Sequence, residues 1–133
     1  MQWCFMDSRE LLADLKKALS QLGDALRLHA GNDVIKAGCI QYFEFTFELA
    51  WKTIKRIAEE EGSPDCNSPK SAFKVAFTNG WLQDEDVWLD MLSSRNKMSH
   101  TYSAEEALEV FDKLPAYAVA LQKLVENLVC NIE

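Results

Sequence analysis

Apolar residues recur along this chain at three- and four-residue spacing, and capping residues interrupt them at four corners. Asp7-Ser8-Arg9-Glu10 reads as a capping box in which Asp7 caps a helix start and Glu10 reaches back. Leu11, Leu12, Leu15, Leu19, Leu22 and Leu26 then form one stripe on an amphipathic helix. Gly31 stops it, and Asp33 is placed to cap the next. The second helix is expected from about Val34 to Glu61, ending at Gly62. Its middle, Cys39 to Trp51, is apolar on nearly every face. The alternation from Phe43 to Glu48 imitates a strand, but Phe43, Phe47, Trp51 and Ile54 continue one helical row. A helix apolar all round is central: it packs on several neighbours or carries a subunit interface.

Ser68-Pro69 is a cap followed by proline at the first helical position, and Asn79-Gly80 closes the short helix that carries Phe73, Val75, Ala76 and Phe77. Asp84 caps a fourth helix, with Val87, Trp88, Met91 and Leu92 inward and Glu85 and Asp86 in the first turn, where the helix dipole favours them. Ser103-Ala104-Glu105-Glu106 is a second capping box. It starts a fifth helix whose apolar row runs from Leu108 through Phe111, Leu114, Tyr117 and Leu121 to Leu128, and Pro115 is expected to bend it. The prediction is an all-α fold: an antiparallel up-and-down bundle of about five helices with a four-helix-bundle-like core. Residues 1–133 are expected to form one domain.

Composition narrows this further. With 133 residues, 48% apolar and 26% charged, the chain is globular and long enough for a real core. A formal net charge of −7 argues against broad, sequence-independent DNA binding. It leaves room for a local basic pocket holding one phosphate, built from Lys52, Lys55, Arg56, Arg95 and Lys97. Cys4, Cys39, Cys66 and Cys130 lie far apart with no CxxC, which fits free thiols in a reducing cytoplasm. Met1 to Met6 is too short for a signal peptide, and Glu44 and Glu48 interrupt the most apolar stretch, so neither export nor a membrane span is expected. The expected location is cytoplasmic. No metal and no cofactor are expected, because a dinuclear site in the second helix would want histidines that it lacks. His29 reads as a surface residue. Trp3, Trp51, Trp81 and Trp88 read as core or interface.

The segment from Arg95 to Tyr102 carries the candidate chemistry. Histidine titrates near neutrality and can give or take a proton, and arginine holds a phosphate with a planar fork. On one helix Arg95 and His100 lie roughly 140° apart, whereas Asn96 and His100, four apart, share a face. Arg95 and His100 therefore converge only if the helix breaks between them or a second subunit brings its own copy. Two His–Arg sets facing across a two-fold axis would deprotonate a ribose 2′-hydroxyl and stabilise the charged transition state without metal. The same residues at a helix corner also make an ordinary capping and packing cluster. Glu44 and Glu48, one turn apart, either line the cleft beside this segment or pair with Lys52 and Arg56 at four-residue spacing.

Arg95-Asn96-Lys97-Met98-Ser99-His100-Thr101-Tyr102 resembles the signature of the HEPN superfamily, in the HepT-like branch also called nucleotidyltransferase substrate-binding proteins. The branch pattern is Arg, four residues, His, one residue, Tyr, and Arg95, His100 and Tyr102 fit it without departure. Phe43 to Lys52, Ser68-Pro69 and Trp88 to Leu92 are also similar to the family's core, so the resemblance covers roughly residues 8 to 130. It implies a helical homodimer with the two motifs facing each other, acting with a minimal nucleotidyltransferase in a toxin–antitoxin pair. In that reading Arg95 and His100 form a metal-independent ribonuclease site, with Asn96, Ser99, Glu44 and Glu48 as auxiliary residues. The partner silences the site by attaching AMP to Tyr102. The same resemblance supports an alternative, a non-catalytic subunit that binds substrate or nucleotide for the nucleotidyltransferase.

Overall fold

A computed structural model describes residues 6–28, 31–62, 66–98 and 103–132. They form α1 (Ser8–Arg27), α2 (Asp33–Glu60), α3 (Pro69–Thr78), α4 (Glu85–Met98) and α5 (Ala104–Ile132). The order is up-and-down and antiparallel. α2 packs on α1, α3 and α5, while α4 packs on α3 and α5. The Leu11, Leu12, Leu15, Leu19, Leu22 stripe of α1 is buried, as is the row Phe43, Phe47, Trp51, Ile54 of α2.

An aromatic chain ties four helices together. Tyr117 of α5 meets Phe43 of α2 with ring centroids 5.2 Å apart, and Phe43 meets Phe47 at 6.0 Å. Phe47 meets Phe73 of α3 edge-on at 5.5 Å, and Phe73 meets Trp88 of α4 at 4.9 Å. Such ring pairs add stabilisation beyond the area they bury. Trp51, Trp81 and Trp88 are core residues, as expected. Buried Thr46 and Thr53 satisfy their hydroxyls on the carbonyls of Tyr42 and Leu49 in their own helix.

Most corners form as the local chemistry dictates. Ser68 and Ser71 make a reciprocal capping box at Pro69. α3 ends in a Schellman motif: Trp81 N–H reaches the Ala76 carbonyl at 2.9 Å and Gly80 N–H that of Phe77 at 3.1 Å, with Gly80 at φ 76°. Gly62, at φ 84°, closes α2 in the expected way. Ser103 and Glu106 form the expected box at α5.

Four details differ from the sequence reading. α1 ends at Arg27, before Gly31, because Leu28 turns extended. The cap of α2 is Asn32, which accepts Ile35 N–H at 2.9 Å; Asp33 is the first helical residue, where a carboxylate still suits the dipole. Asp7 caps α1 as expected, accepting Glu10 N–H at 2.9 Å, but the carboxylate that reaches Ser8 is a distant one: Glu60 accepts from Ser8 N–H at 3.2 Å and from its hydroxyl at 2.5 Å. Finally, α2 is not buried all round, because Tyr42 and Phe45 remain 40% and 46% exposed. α5 runs as one helix through Pro115. Cys39 and Cys66 are buried free thiols and Cys130 is an exposed one; Trp3, Cys4 and His29 lie outside the described residues.

Candidate functional site

α4 carries two polar clusters on different faces, one toward α5 through Asp90 and Ser94 and one toward α2 through Arg95. Arg95 faces α2. Its Nε–H and Nη2–H both donate to Glu48 Oε1, at 3.0 and 2.6 Å, and its Nη1 donates to Asn96 Oδ1 at 3.2 Å. The guanidinium carbon lies 5.7 Å from the centre of the Phe47 ring. The second Glu48 oxygen accepts the Trp51 indole N–H at 2.9 Å. One carboxylate therefore joins a buried indole to a half-exposed guanidinium.

Glu44 sits one turn before Glu48. Burial raises its carboxyl above the ordinary range; the nearby Arg95 charge opposes that shift and Glu48 adds to it. Beyond Trp51, the Lys52 ammonium lies 4.3 Å over the indole ring. Glu48 does join an ion pair, but its guanidinium partner is Arg95. Arg56 instead approaches Glu59 and Glu60, at 3.9 and 3.7 Å. The four-residue helix rule sees only local neighbours, and Arg95 arrives from another helix.

Ser94 faces α5. The Tyr117 hydroxyl donates to Asp90 Oδ2 at 2.6 Å and lies 2.8 Å from the Ser94 hydroxyl. A phenol has one hydrogen and a carboxylate only accepts, so Ser94 is the donor to the tyrosine oxygen. Lys113 completes the set at 3.2 Å from Asp90 Oδ1. The tyrosine bond, followed by Lys113, holds the Asp90 carboxyl below its ordinary range against the opposing effect of burial. Burial and then Asp90 push the Tyr117 phenol well above its own. Sequence reasoning missed this cluster because a tyrosine in an apolar row reads as plain core. The signal was there: Asp90 and Ser94 stand four apart on α4, and a buried tyrosine hydroxyl needs a partner.

Of the site residues expected from sequence, Arg95, Asn96, Glu44 and Glu48 come together. Ser99, His100 and Tyr102 lie outside the described residues. Among the described residues no three His, Cys, Asp or Glu side chains gather as metal ligands, and no helix is long and apolar enough to cross a membrane. An arginine held in a fixed plane is a charged donor suited to an anion, and a raised carboxyl beside it can exchange a proton nearer neutrality than an ordinary one.

Comparison with known proteins agrees with this frame. The family model described as nucleotidyltransferase substrate binding protein like matches residues 10–130. A Haemophilus influenzae protein named probable ribonuclease HepT is 31% identical over 100 residues, covering 72% of this chain and 68% of that protein. A solved Thermus thermophilus structure matches with TM-score 0.77 and 32% identity, over 86% of this chain and 98% of that one. A solved Haemophilus influenzae structure is described as revealing the fold of a substrate binding domain of a nucleotidyltransferase. It matches with TM-score 0.67 and 26% identity, over 91% of this chain and 96% of that one.

Proposed function

The chain belongs to the nucleotidyltransferase substrate binding protein like family, and on that premise we propose that it is the HepT-like helical subunit of a toxin–antitoxin pair, acting with a minimal nucleotidyltransferase and holding a metal-independent ribonuclease site. The observation that carries the reading is the oriented Arg95 fork at the end of α4, on the same short segment as His100 and Tyr102 at the family spacing. Similarity to a protein named as a ribonuclease supports it.

The chemistry follows from the residue types. Neutral His100 takes the proton of a ribose 2′-hydroxyl, whose oxygen attacks the adjacent phosphorus. The new 2′-O–P bond forms as the P–O5′ bond breaks, and a protonated imidazole returns a proton to the leaving oxygen. Arg95 stabilises the charge that builds on the phosphoryl oxygens. Two imidazoles in opposite protonation states suit a dimer with the motifs face to face. The exposed Tyr42 and Phe45, on α2 next to Glu44 and Glu48, are a surface suited to that contact. AMP on Tyr102 would bring a phosphate and a purine to the place the RNA phosphate must occupy, which is how the partner would silence the site.

Cleavage of RNA by purified protein in EDTA tests this. His100→Ala should slow cleavage by about 10²- to 10⁴-fold. Absence of cleavage by either protein, or equal cleavage by both, contradicts the catalytic reading. The family description and the Haemophilus influenzae structure favour one other reading, a subunit that binds substrate or nucleotide without chemistry of its own. That reading expects stable association with the nucleotidyltransferase, with His100→Ala weakening nucleotide binding alone. Intact mass after co-expression with the partner separates the two further: silencing expects a gain in AMP units that Tyr102→Phe abolishes.

A further inference from the structure

We propose that Glu48 is a positioning residue for Arg95: it fixes the plane and direction in which the guanidinium meets a phosphate. The inference rests on the ribonuclease reading for its reaction, but its geometry stands without it.

A guanidinium has two hydrogen-bonding edges, a side edge made by Nε and Nη2 and a terminal edge made by Nη1 and Nη2. Both donors of the side edge of Arg95 converge on the single oxygen Glu48 Oε1, at 3.0 and 2.6 Å. Nη1 donates in turn to Asn96 Oδ1 at 3.2 Å, so the guanidinium plane is held from both ends. Holding the plane matters because a planar fork stabilises a phosphoryl group only when its plane and direction match the oxygens.

Glu48 is itself held from the core. Its other oxygen accepts the indole N–H of Trp51, which is 7% exposed and packed in α2. The Phe47 ring lies 5.7 Å from the guanidinium carbon. Orientation thus passes from buried aromatics through one carboxylate to the arginine, with no long flexible side chain in between. Residues acting this way lose little order when substrate binds, which is where placement helps rate.

The arrangement has an electrostatic cost. With Glu44 and Glu48 both beside it, Arg95 sits in a cluster whose formal charge is not positive when both are ionised. Glu48 should therefore weaken phosphate binding while improving phosphate placement. A residue that merely stabilised the fold would not separate the two quantities.

The experiment compares wild type, Glu48→Ala and Glu48→Gln in RNA cleavage under EDTA, with a thermal melt of each. For Glu48→Ala, kcat should fall between about tenfold and a hundredfold, while KM for RNA stays level or falls. Glu48→Gln also removes the charge but has one oxygen for two sets of donors, the Arg95 edge and the Trp51 indole, so its kcat should fall between those of wild type and Glu48→Ala. An unchanged kcat in Glu48→Ala, or a KM that rises as kcat falls, overturns the proposal. A second readout needs no activity: the Arg95 Nε–H signal in nitrogen-15 NMR. It should exchange slowly with water in wild type and fast in Glu48→Ala. If the wild-type protein cleaves no RNA, the ribonuclease reading fails and this signal still decides. Equal exchange in wild type and Glu48→Ala then overturns the positioning role.

Discussion

Ser94 and Arg95 are neighbours in sequence, yet the clusters they anchor are built differently. On the α5 side, Tyr117 is 2% exposed and its hydroxyl both donates, to Asp90, and accepts, from Ser94. Both bonds of that buried phenol are made, although Asp90 and its partner Lys113 are 44% and 45% exposed at the side chain. On the α2 side, the Arg95 and Glu48 side chains are 30% and 28% exposed. Beside them is a carboxyl that burial has made less acidic. A buried phenol and serine that satisfy one another hold the helix that carries the serine. A half-open cluster with an uncomfortable carboxylate contributes little to the fold, and that pattern is more common at working sites than in scaffolding. The contrast separates what holds α4 in place from what α4 is proposed to do.

The largest effect should come from the closed cluster. Tyr117→Ala removes a buried ring packed on Phe43, so it should cost about 3–5 kcal/mol in urea unfolding. Tyr117→Phe keeps the ring and should cost about 1–2 kcal/mol, the penalty for leaving buried Ser94 short of a partner while Asp90 keeps Lys113 and water. A cost near zero for Tyr117→Phe would erase the contrast. Arg95→Ala comes next and should be much milder, about 1 kcal/mol or less, since the pair is half in water and Glu48 keeps its bond to Trp51. A loss as large as that of Tyr117→Ala would make Arg95 a structural residue.

The smallest effects concern pH, and the two clusters should respond with opposite signs. Asp90 has a lowered folded pKa. Its contribution is present above the ordinary aspartate value and is lost as pH falls through the folded one. Glu44 has a raised folded pKa. Its charged form opposes folding, so its contribution is largest below the ordinary glutamate value and fades as pH rises through the folded one. Unfolding free energy measured against pH should accordingly show a shallower acid limb in Asp90→Asn. Glu44→Gln should be slightly more stable than wild type at neutral pH. A Glu44→Gln variant less stable than wild type at pH 7 would show that the carboxylate is structural after all.

Local chemistry was legible in the sequence and tertiary chemistry was not. Asp7, Ser68 and Ser103 could be read as caps because a cap depends on a few consecutive residues. The all-helical bundle followed from the spacing of its leucines and phenylalanines, and the Phe43–Ile54 row overrode a strand-like alternation. At the α2 start, Asn32 and Asp33 are both good caps, and nothing local chooses between them. Glu48 was recognised as a site or ion-pair residue, but Lys52 and Arg56 were its only visible neighbours. Arg95, 47 positions away, could be matched to it only once α4 was folded against α2. Tyr117 hid for the same reason: its partners stand 23 and 27 positions back on another helix. Phe45 and Tyr42 were counted with the apolar middle of α2, whereas their exposure depends on where α1, α3 and α5 cover that helix and where they do not.

The central claim is that the half-open cluster works and the closed one supports. RNA cleavage in EDTA by Arg95→Ala and Tyr117→Phe, measured side by side and normalised to folded protein, tests it most directly. The account predicts a loss of about a hundredfold or more for Arg95→Ala, the size expected when one transition-state donor is removed. Tyr117→Phe should stay within about threefold of wild type despite its lower stability. Equal losses in the two variants, or full activity in Arg95→Ala, would contradict it.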